Sequence, residues 1–384
     1  MAPPLGAHLL SFLTTGEGVE AEVWRAGAPG TSLERGRTST NSRLQPPDDH
    51  HRSAAVVDPR ALLRRQGRYR SHLTKVDMSV ERLQLVDNKV FCSSNKASID
   101  CYDWSTSELK LKYTAGDAKS NRSFLGFHYN PHTDLLVTGD HSSPALLALD
   151  GTTGEIKAEQ TAHRHAHMWT AQSDDEKAVL GIYDTIQIWD LQANKLLLST
   201  EGAHKHNDQI RSLLFLGNTL LTGGALGDNT VKVWDLRRPV KPVEEAEIDN
   251  GVWCMDFDGE KLAAGTFNDI HLWDLRHLLQ SLATVRAHEG HINMVQFDTE
   301  KLVSGSNDKT IKVWDVDTLE LWHTIEPSLG MVRMGQYHDN VLVAGGTEGQ
   351  SVCAITFDTS EPARSSRPPA AKQPAPPQSL DLFP

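Results

Sequence analysis

The chain has 384 residues and a formal net charge of −12. Residues 1–67 and 359–384 each carry +1, so residues 68–358 hold −14, and a body this acidic repels phosphate backbones at long range, arguing against nonspecific nucleic-acid binding. The four cysteines (92, 101, 254, 353) show neither a CxxC nor metal-ligand spacing, and the apolar run at 9–13 is short and lacks basic residues before it; this excludes a disulfide framework and predicts no signal peptide or membrane span, hence a reducing cytoplasmic or nuclear setting.

Residues 1–57 are rich in Gly, Ser, Pro, Arg and Asp and have no sustained apolar period, which predicts a disordered leader. Within it, PLGAHLLSFLTT (residues 4–15) followed by Trp24 is similar to the start of an F-box, a helical segment that docks onto a ubiquitin-ligase adaptor; the Phe12-to-Trp24 interval is shorter than that motif's, and no further helices follow. Asp58 at an N-cap and Pro59 at the first helical position predict a short basic helix over 58–67.

From residue 68 to 358 the chain is repetitive. Its clearest unit, 288–327, alternates apolar and polar residues in INMVQF, KLVSGS, TIKVWD and LELWHTI, with turn residues Asp298-Thr299-Glu300, Asn307-Asp308-Lys309 and Asp317-Thr318 between them. That is the pattern of four antiparallel strands, too small a sheet to bury both faces without neighbours. The closing Asp recurs at 103, 150, 190, 235, 274, 315 and 358, spaced by 39 to 47 residues. Seven such units fill the segment.

SGSNDKTIKVWD (304–315) and GDNTVKVWDLR (227–237) are similar to the WD-repeat signature. The resemblance implies an all-β, seven-bladed propeller in which each blade is one four-stranded sheet. Residues 69–76 sit where a fourth strand would precede the first unit, and no strand pattern follows Asp358, so 69–76 is expected to cross the seam and complete the last blade. From 359 to 384 seven prolines among Ala, Ser, Arg and Gln predict an extended, partly polyproline II tail, whose PxxP at 374–377 lacks a suitably spaced basic residue.

Two units carry residues at the spacings of the family's buried hydrogen-bond tetrad: His206, Thr222, Asp228, Trp234 and His288, Ser304, Asp308, Trp314. In such a network carboxylate, imidazole, hydroxyl and indole satisfy one another, and no exposed nucleophile remains; with no Walker loop, dinucleotide fingerprint, HExxH or GxSxG, a non-enzymatic chain without cofactor is expected. His163, His165 and His167 would share one face of a strand and could ligate a metal, but they align with the turn leading into a blade and are read as a turn cluster.

The resemblance also implies which residues surround the channel mouth on the narrower face: Glu81, Leu125, Trp169, Arg211, Trp253, Asn293 and Arg333. Two Trp beside two Arg suit a protein or peptide ligand bearing an acidic or phosphorylated group; the alternative is that the Trp pack sideways against a neighbouring blade. Trp-Asp-Leu-Arg occurs twice, ending at Arg237 and Arg276, and resembles the WDxR box of propellers that serve as substrate receptors of cullin-type ubiquitin ligases. There the Arg meets the adaptor on the wider face. The expected function is therefore a protein-interaction scaffold, either such a receptor or a general subunit of an RNA-processing, trafficking or chromatin complex.

Overall fold

The computed structural model describes residues 10–15, 18–23 and 69–357, except 76–78, 95–97, 104–105, 107, 115–123, 125, 140–144, 162–167, 201–204, 238–240, 278–279, 298–300, 339–340 and 349–350. The expected helix at 58–67, the tail from 359, the remainder of the leader, Leu125 and the His163–His165–His167 cluster lie outside the described residues.

Seven antiparallel sheets form seven blades. Their innermost strands are Arg82–Val86, Phe127–Asn130, Met168–Ser173, Ile210–Leu216, Cys254–Phe257, Ile292–Phe297 and Val332–His338. Each packs against the next and the seventh against the first, so the ring closes around a channel. The second strands are buried on both faces, as in Lys301–Ser306, because a neighbouring blade covers either side. Each of the seven blade interfaces has its own apolar cluster; the one between blades 7 and 1 gathers Val80, Leu83, Leu85, Val90, Val343 and Val352. Glycine sets how close the blades come. A Cβ on Gly265 or Gly305 would lie 2.7 Å from Ile292 or Val332 of the next blade.

The seam is closed by the strand Tyr69–Lys75, which pairs with Ser351–Phe357 from Tyr69↔Phe357 to Lys75↔Ser351 and supplies the outer strand of blade 7. Beyond it the leader adds a hairpin: Leu10–Thr15 pairs with Tyr69–Lys75, and Gly18–Val23 pairs with Leu10–Thr15, making this sheet six-stranded. This corrects the helical F-box-like start. GVEAEV alternates at period two, and the outer edge of Tyr69–Lys75 offers unpaired peptide groups to complete.

A second device joins the blades. On six of the seven interfaces a polar side chain of one innermost strand bonds the peptide of the next. Gln84 grips Tyr129 from both sides, donating to its carbonyl (2.9 Å) and accepting from its N–H (2.7 Å). His128 Nδ1 accepts from Ser173 N–H (3.2 Å), Gln172 from Phe215 (2.5 Å), Asp256 from Phe297 (2.8 Å), Gln296 from Tyr337, and Gln336 from Leu85 (2.5 Å). Burial pushes His128 down to about 4, so this ring is neutral and available as an acceptor. Between blades 4 and 5 the equivalent residue is Leu214, which packs with Phe257 in the apolar cluster instead.

Asp256 is the ring's one carboxylate. Burial raises it to about 7, against the opposing N–H bonds from Phe297 and Phe257. An unfolded carboxylate titrates near ~4. Between these values the folded chain keeps a proton that the unfolded chain releases, so stability falls as pH rises from about 4 to about 7. Asp256→Asn keeps the acceptor without the charge. Its thermal midpoint, measured against wild type from pH 4 to pH 8, is expected to gain on wild type as pH rises; a constant difference would contradict this assignment.

Candidate functional site

The innermost strands begin at one face of the ring, and four of them carry a bulge there. Pairing runs Met168↔Ile182 then Thr170↔Gly181, Ile210↔Gly224 then Ser212↔Gly223, Ile292↔Ser306 then Met294↔Gly305, and Val332↔Gly346 then Met334↔Gly345. The extra residues are Trp169, Arg211, Asn293 and Arg333. A bulge takes its extra residue out of the ladder and re-aims the side chain. The residues just before them, Met168, Ile210, Ile292 and Val332, are buried between blades and anchor the turn-out. Glu81 and Trp253 reach the same level in blades 1 and 5, their N–H groups bonded to Ser93 and Gly265 carbonyls at 2.9 Å.

These side chains converge. The Arg211 guanidinium carbon lies 3.7 Å from the Trp169 ring centroid and 4.9 Å from that of Trp253, so the cation is flanked by two indoles. Arg333 Nε is 3.6 Å from Glu81 Oε2. Asn293 belongs to the wall: its amide donates to Asn307 Oδ1 (2.8 Å) and to the Val332 carbonyl (2.7 Å), and the residue is buried.

Three participants fall outside the positions read from sequence. Arg82 donates to the Trp169 carbonyl from Nη2 (3.1 Å) and Nε (3.3 Å), joining blade 1 to blade 3 across the channel beneath the mouth. His291 meets Trp253 edge-on at 4.3 Å, and Phe267 meets His291 at 4.2 Å, extending the aromatic run outward. No periodic signal marks them: Arg82 is one residue beyond the register position, and the other two lie on turns.

The mouth is electropositive on an acidic body. Burial pushes Arg211 down to about 10, with Arg82 and Arg333 adding to the shift against Asp208. Burial also lowers His291, and Arg333 and Arg211 lower it further. The buried Arg211 Nε, Trp253 Nε1 and His291 Nδ1 have no hydrogen-bond partner among the described residues. Each such donor or acceptor left unmet costs about 1–3 kcal/mol, which an arriving ligand or water would relieve.

Both tetrads form. His206 Nδ1 bonds Asp228 (2.6 Å), its Nε2 bonds Thr222 Oγ1 (2.7 Å), and Trp234 Nε1 donates to that oxygen (2.9 Å). His288 Nδ1 bonds Asp308 (2.8 Å), its Nε2 bonds Ser304 Oγ (2.7 Å), and Trp314 Nε1 donates to Ser304 (2.9 Å). Imidazole, hydroxyl and indole of each set are buried, so neither hydroxyl is placed to attack a substrate. Burial would raise the Asp228 carboxyl, but bonds from His206, Asn207 N–H and Thr230 outweigh it and hold it near about 2; Asp308 is likewise held well below the usual range by His288, Thr310 and Glu289 N–H, against burial.

The third strands run in the same direction as the innermost ones and end on the opposite face. There Arg237 folds back on Asp235 (Nε 3.0 Å, Nη2 3.1 Å) and Arg276 on Asp274 (3.1 and 2.9 Å), equivalent forks on adjacent blades, with Arg276 also 3.2 Å from Glu260. All four cysteines are free and buried. Among the described residues no cluster of three or more His, Cys, Asp or Glu could hold a metal, and no helix is long and apolar enough to cross a membrane.

The family model "WD domain, G-beta repeat" matches residues 196–235 and 279–315, which carry all four members of each tetrad. Mitochondrial division protein 1 of Aspergillus clavatus is 32% identical over 161 residues, 38% of this chain and 22% of that protein. Protein SPA1-RELATED 4 and the DENN domain and WD repeat-containing protein SCD1, both of Arabidopsis thaliana, are each 27% identical, over 38% and 61% of this chain and 19% of their own lengths. The chain thus spans about a fifth of these relatives. Among solved structures, the computationally designed Ika8 protein superposes with a TM-score of 0.58 at 20% identity, over 74% of this chain and 98% of its own, a likeness of fold.

Asp308→Ala removes the carboxylate 2.8 Å from the buried His288 Nδ1, leaving it Thr310 Oγ1 at 3.2 Å, and is expected to lower the unfolding free energy by about 1–3 kcal/mol in urea titrations. Because the Asp308 carboxyl is depressed, the lost contribution is present above about pH 4 and fades as pH falls below it. An unchanged urea midpoint at pH 7 would contradict the network's structural role.

Proposed function

The chain belongs to the WD-repeat family of β-propellers, and on that premise we propose that it is a non-enzymatic protein-interaction scaffold that takes an acidic or phosphorylated segment of a protein partner at the channel mouth. The observation that carries this reading is Arg211 held between Trp169 and Trp253, with Arg82 and Arg333 close by. A guanidinium flanked by two indole rings keeps N–H groups for a carboxylate or phosphate, and the flanking aromatics exclude water and strengthen the pairing. Arg and Trp are also the residue types that most often dominate binding energy. Four buried free thiols suit action in the reducing cytoplasm or nucleus.

A second reading, a substrate receptor of a cullin-type ubiquitin ligase, draws on Arg237 and Arg276. They present matching guanidinium groups on neighbouring blades at the opposite face, with side chains 38% and 55% exposed. Each is held rigid by its own Asp, which lowers the ordering cost of a contact there.

Affinity capture from cells tests both. Arg211→Glu with Arg333→Glu is expected to remove the mouth-bound partner, a loss of about 2 kcal/mol or more at a hot-spot cation and further repulsion from the reversed charge. Arg237→Ala with Arg276→Ala is expected to lose a ligase adaptor and keep that partner. Retention of every wild-type partner by the first double variant would contradict the mouth assignment, and by the second the receptor reading.

A further inference from the structure

The rim around the mouth is not uniform. In blades 3, 4 and 5 the turn between the second and third strands lies on the mouth side and is bonded to the residues that lead into the next innermost strand: Ile210 N–H to the Tyr183 carbonyl (2.6 Å), Val252 N–H to Gly224 (2.8 Å), and Ile292 N–H to Thr266 (3.0 Å). These turns therefore sit directly outside Arg211, Trp253 and Asn293. In blades 3, 4 and 5 they carry Tyr183, Leu226 and Phe267, exposed by 38%, 50% and 37%. In blades 6 and 7 the same turns carry Asn307, Asp308 and Lys309, and Thr347 and Glu348, with Lys309 and Glu348 neutralising each other at 3.3 Å.

Such turns favour Asn, Asp and Gly, and large apolar side chains gain nothing there from folding. Tyr183 has φ of 49°, a left-handed backbone that a bulky residue adopts only at an energetic disadvantage to Asn or Gly. Three adjacent blades share this departure, and their arc continues the aromatic run from Trp253 through His291 to Phe267. The cations of the mouth lie along its inner side. An exposed apolar arc beside the cations of the mouth matches a partner with the complementary arrangement.

We propose that the partner segment is amphipathic: a peptide that seats one anionic side chain on Arg211 at the mouth and lays neighbouring large apolar side chains on the arc of Tyr183, Leu226 and Phe267. The assignment rests on the mouth reading given above and adds the second half of the recognition. It also accounts for the polar, self-neutralised turns of blades 6 and 7, which stay outside the footprint.

The test uses the full chain and a phage-displayed library of random 16-residue peptides, with enriched sequences synthesised and their Kd measured by fluorescence polarisation. The expected peptides combine Asp or Glu with Leu, Ile, Phe or Trp within a few positions. Their Kd is expected to weaken at least ~10-fold in Tyr183→Ser/Leu226→Ser/Phe267→Ser and at least ~30-fold in Arg211→Ala, the second ratio corresponding to about 2 kcal/mol. Tyr183→Asn guards against misfolding as the cause, because Asn suits the left-handed backbone: it should keep or raise the thermal midpoint while still weakening the peptide. Acidic peptides without apolar enrichment, or peptides whose Kd is unmoved by the triple variant, would overturn the arc and leave the mouth reading standing. Apolar peptides indifferent to Arg211→Ala would overturn the mouth reading and this proposal with it. A library that yields no binder sensitive to either variant overturns the proposal.

Discussion

A ring of seven sheets must hold each innermost strand at a fixed distance and height from the next, since any slip propagates around the circle. Apolar packing alone is non-directional and tolerates such sliding. Side chains that bond a neighbouring peptide do not, and here Gln84, His128, Gln172, Asp256, Gln296 and Gln336 do this around the channel. They also meet peptide groups that the sheets leave unpaired on the channel side. Glycines opposite the next blade's Ile or Val fix the separation, and these bonds fix the height.

What happens at the mouth follows from that fixed height. With the strands locked, each bulge turns its extra residue toward the same level, and side chains from blades 1, 3, 4, 5 and 7 meet there although they are far apart in sequence. Arg82 ties blade 1 to the Trp169 carbonyl of blade 3 beside them. Like charges are thereby gathered on a protein of net charge −12, and the indoles that cover Arg211 keep it from water without neutralising it. That combination is unfavourable in isolation and favourable toward an anion.

Much of this was legible in the sequence, because repetition amplifies weak signals. The recurring Asp gave seven units, the spacing of His288, Ser304, Asp308 and Trp314 gave a network that forms, and the lack of a strand pattern after Asp358 pointed to 69–76 as the closing strand, of which 69–75 pairs. Register placed Trp169, Arg211, Trp253 and Arg333 together. The roles of Arg82, His291 and Phe267 were not legible, because cross-channel reach and ring stacking depend on distances between blades. The peptide-bonding residues recur at the repeat period, yet Gln, His and Asp at that position read as the polar half of a strand alternation. The pairing of 10–15 with 69–75 was not legible, because it draws on an edge formed by a distant part of the chain.

The account depends most on the cross-blade bonds, and Gln172→Met tests them directly. Methionine nearly matches glutamine in shape but offers no comparable acceptor for the Phe215 N–H. Urea unfolding of this variant should show a loss of about 1–3 kcal/mol with an unchanged denaturant slope, the cost of one buried unpaired donor. A variant as stable as wild type would contradict the claim that these bonds hold the ring and, through it, the mouth.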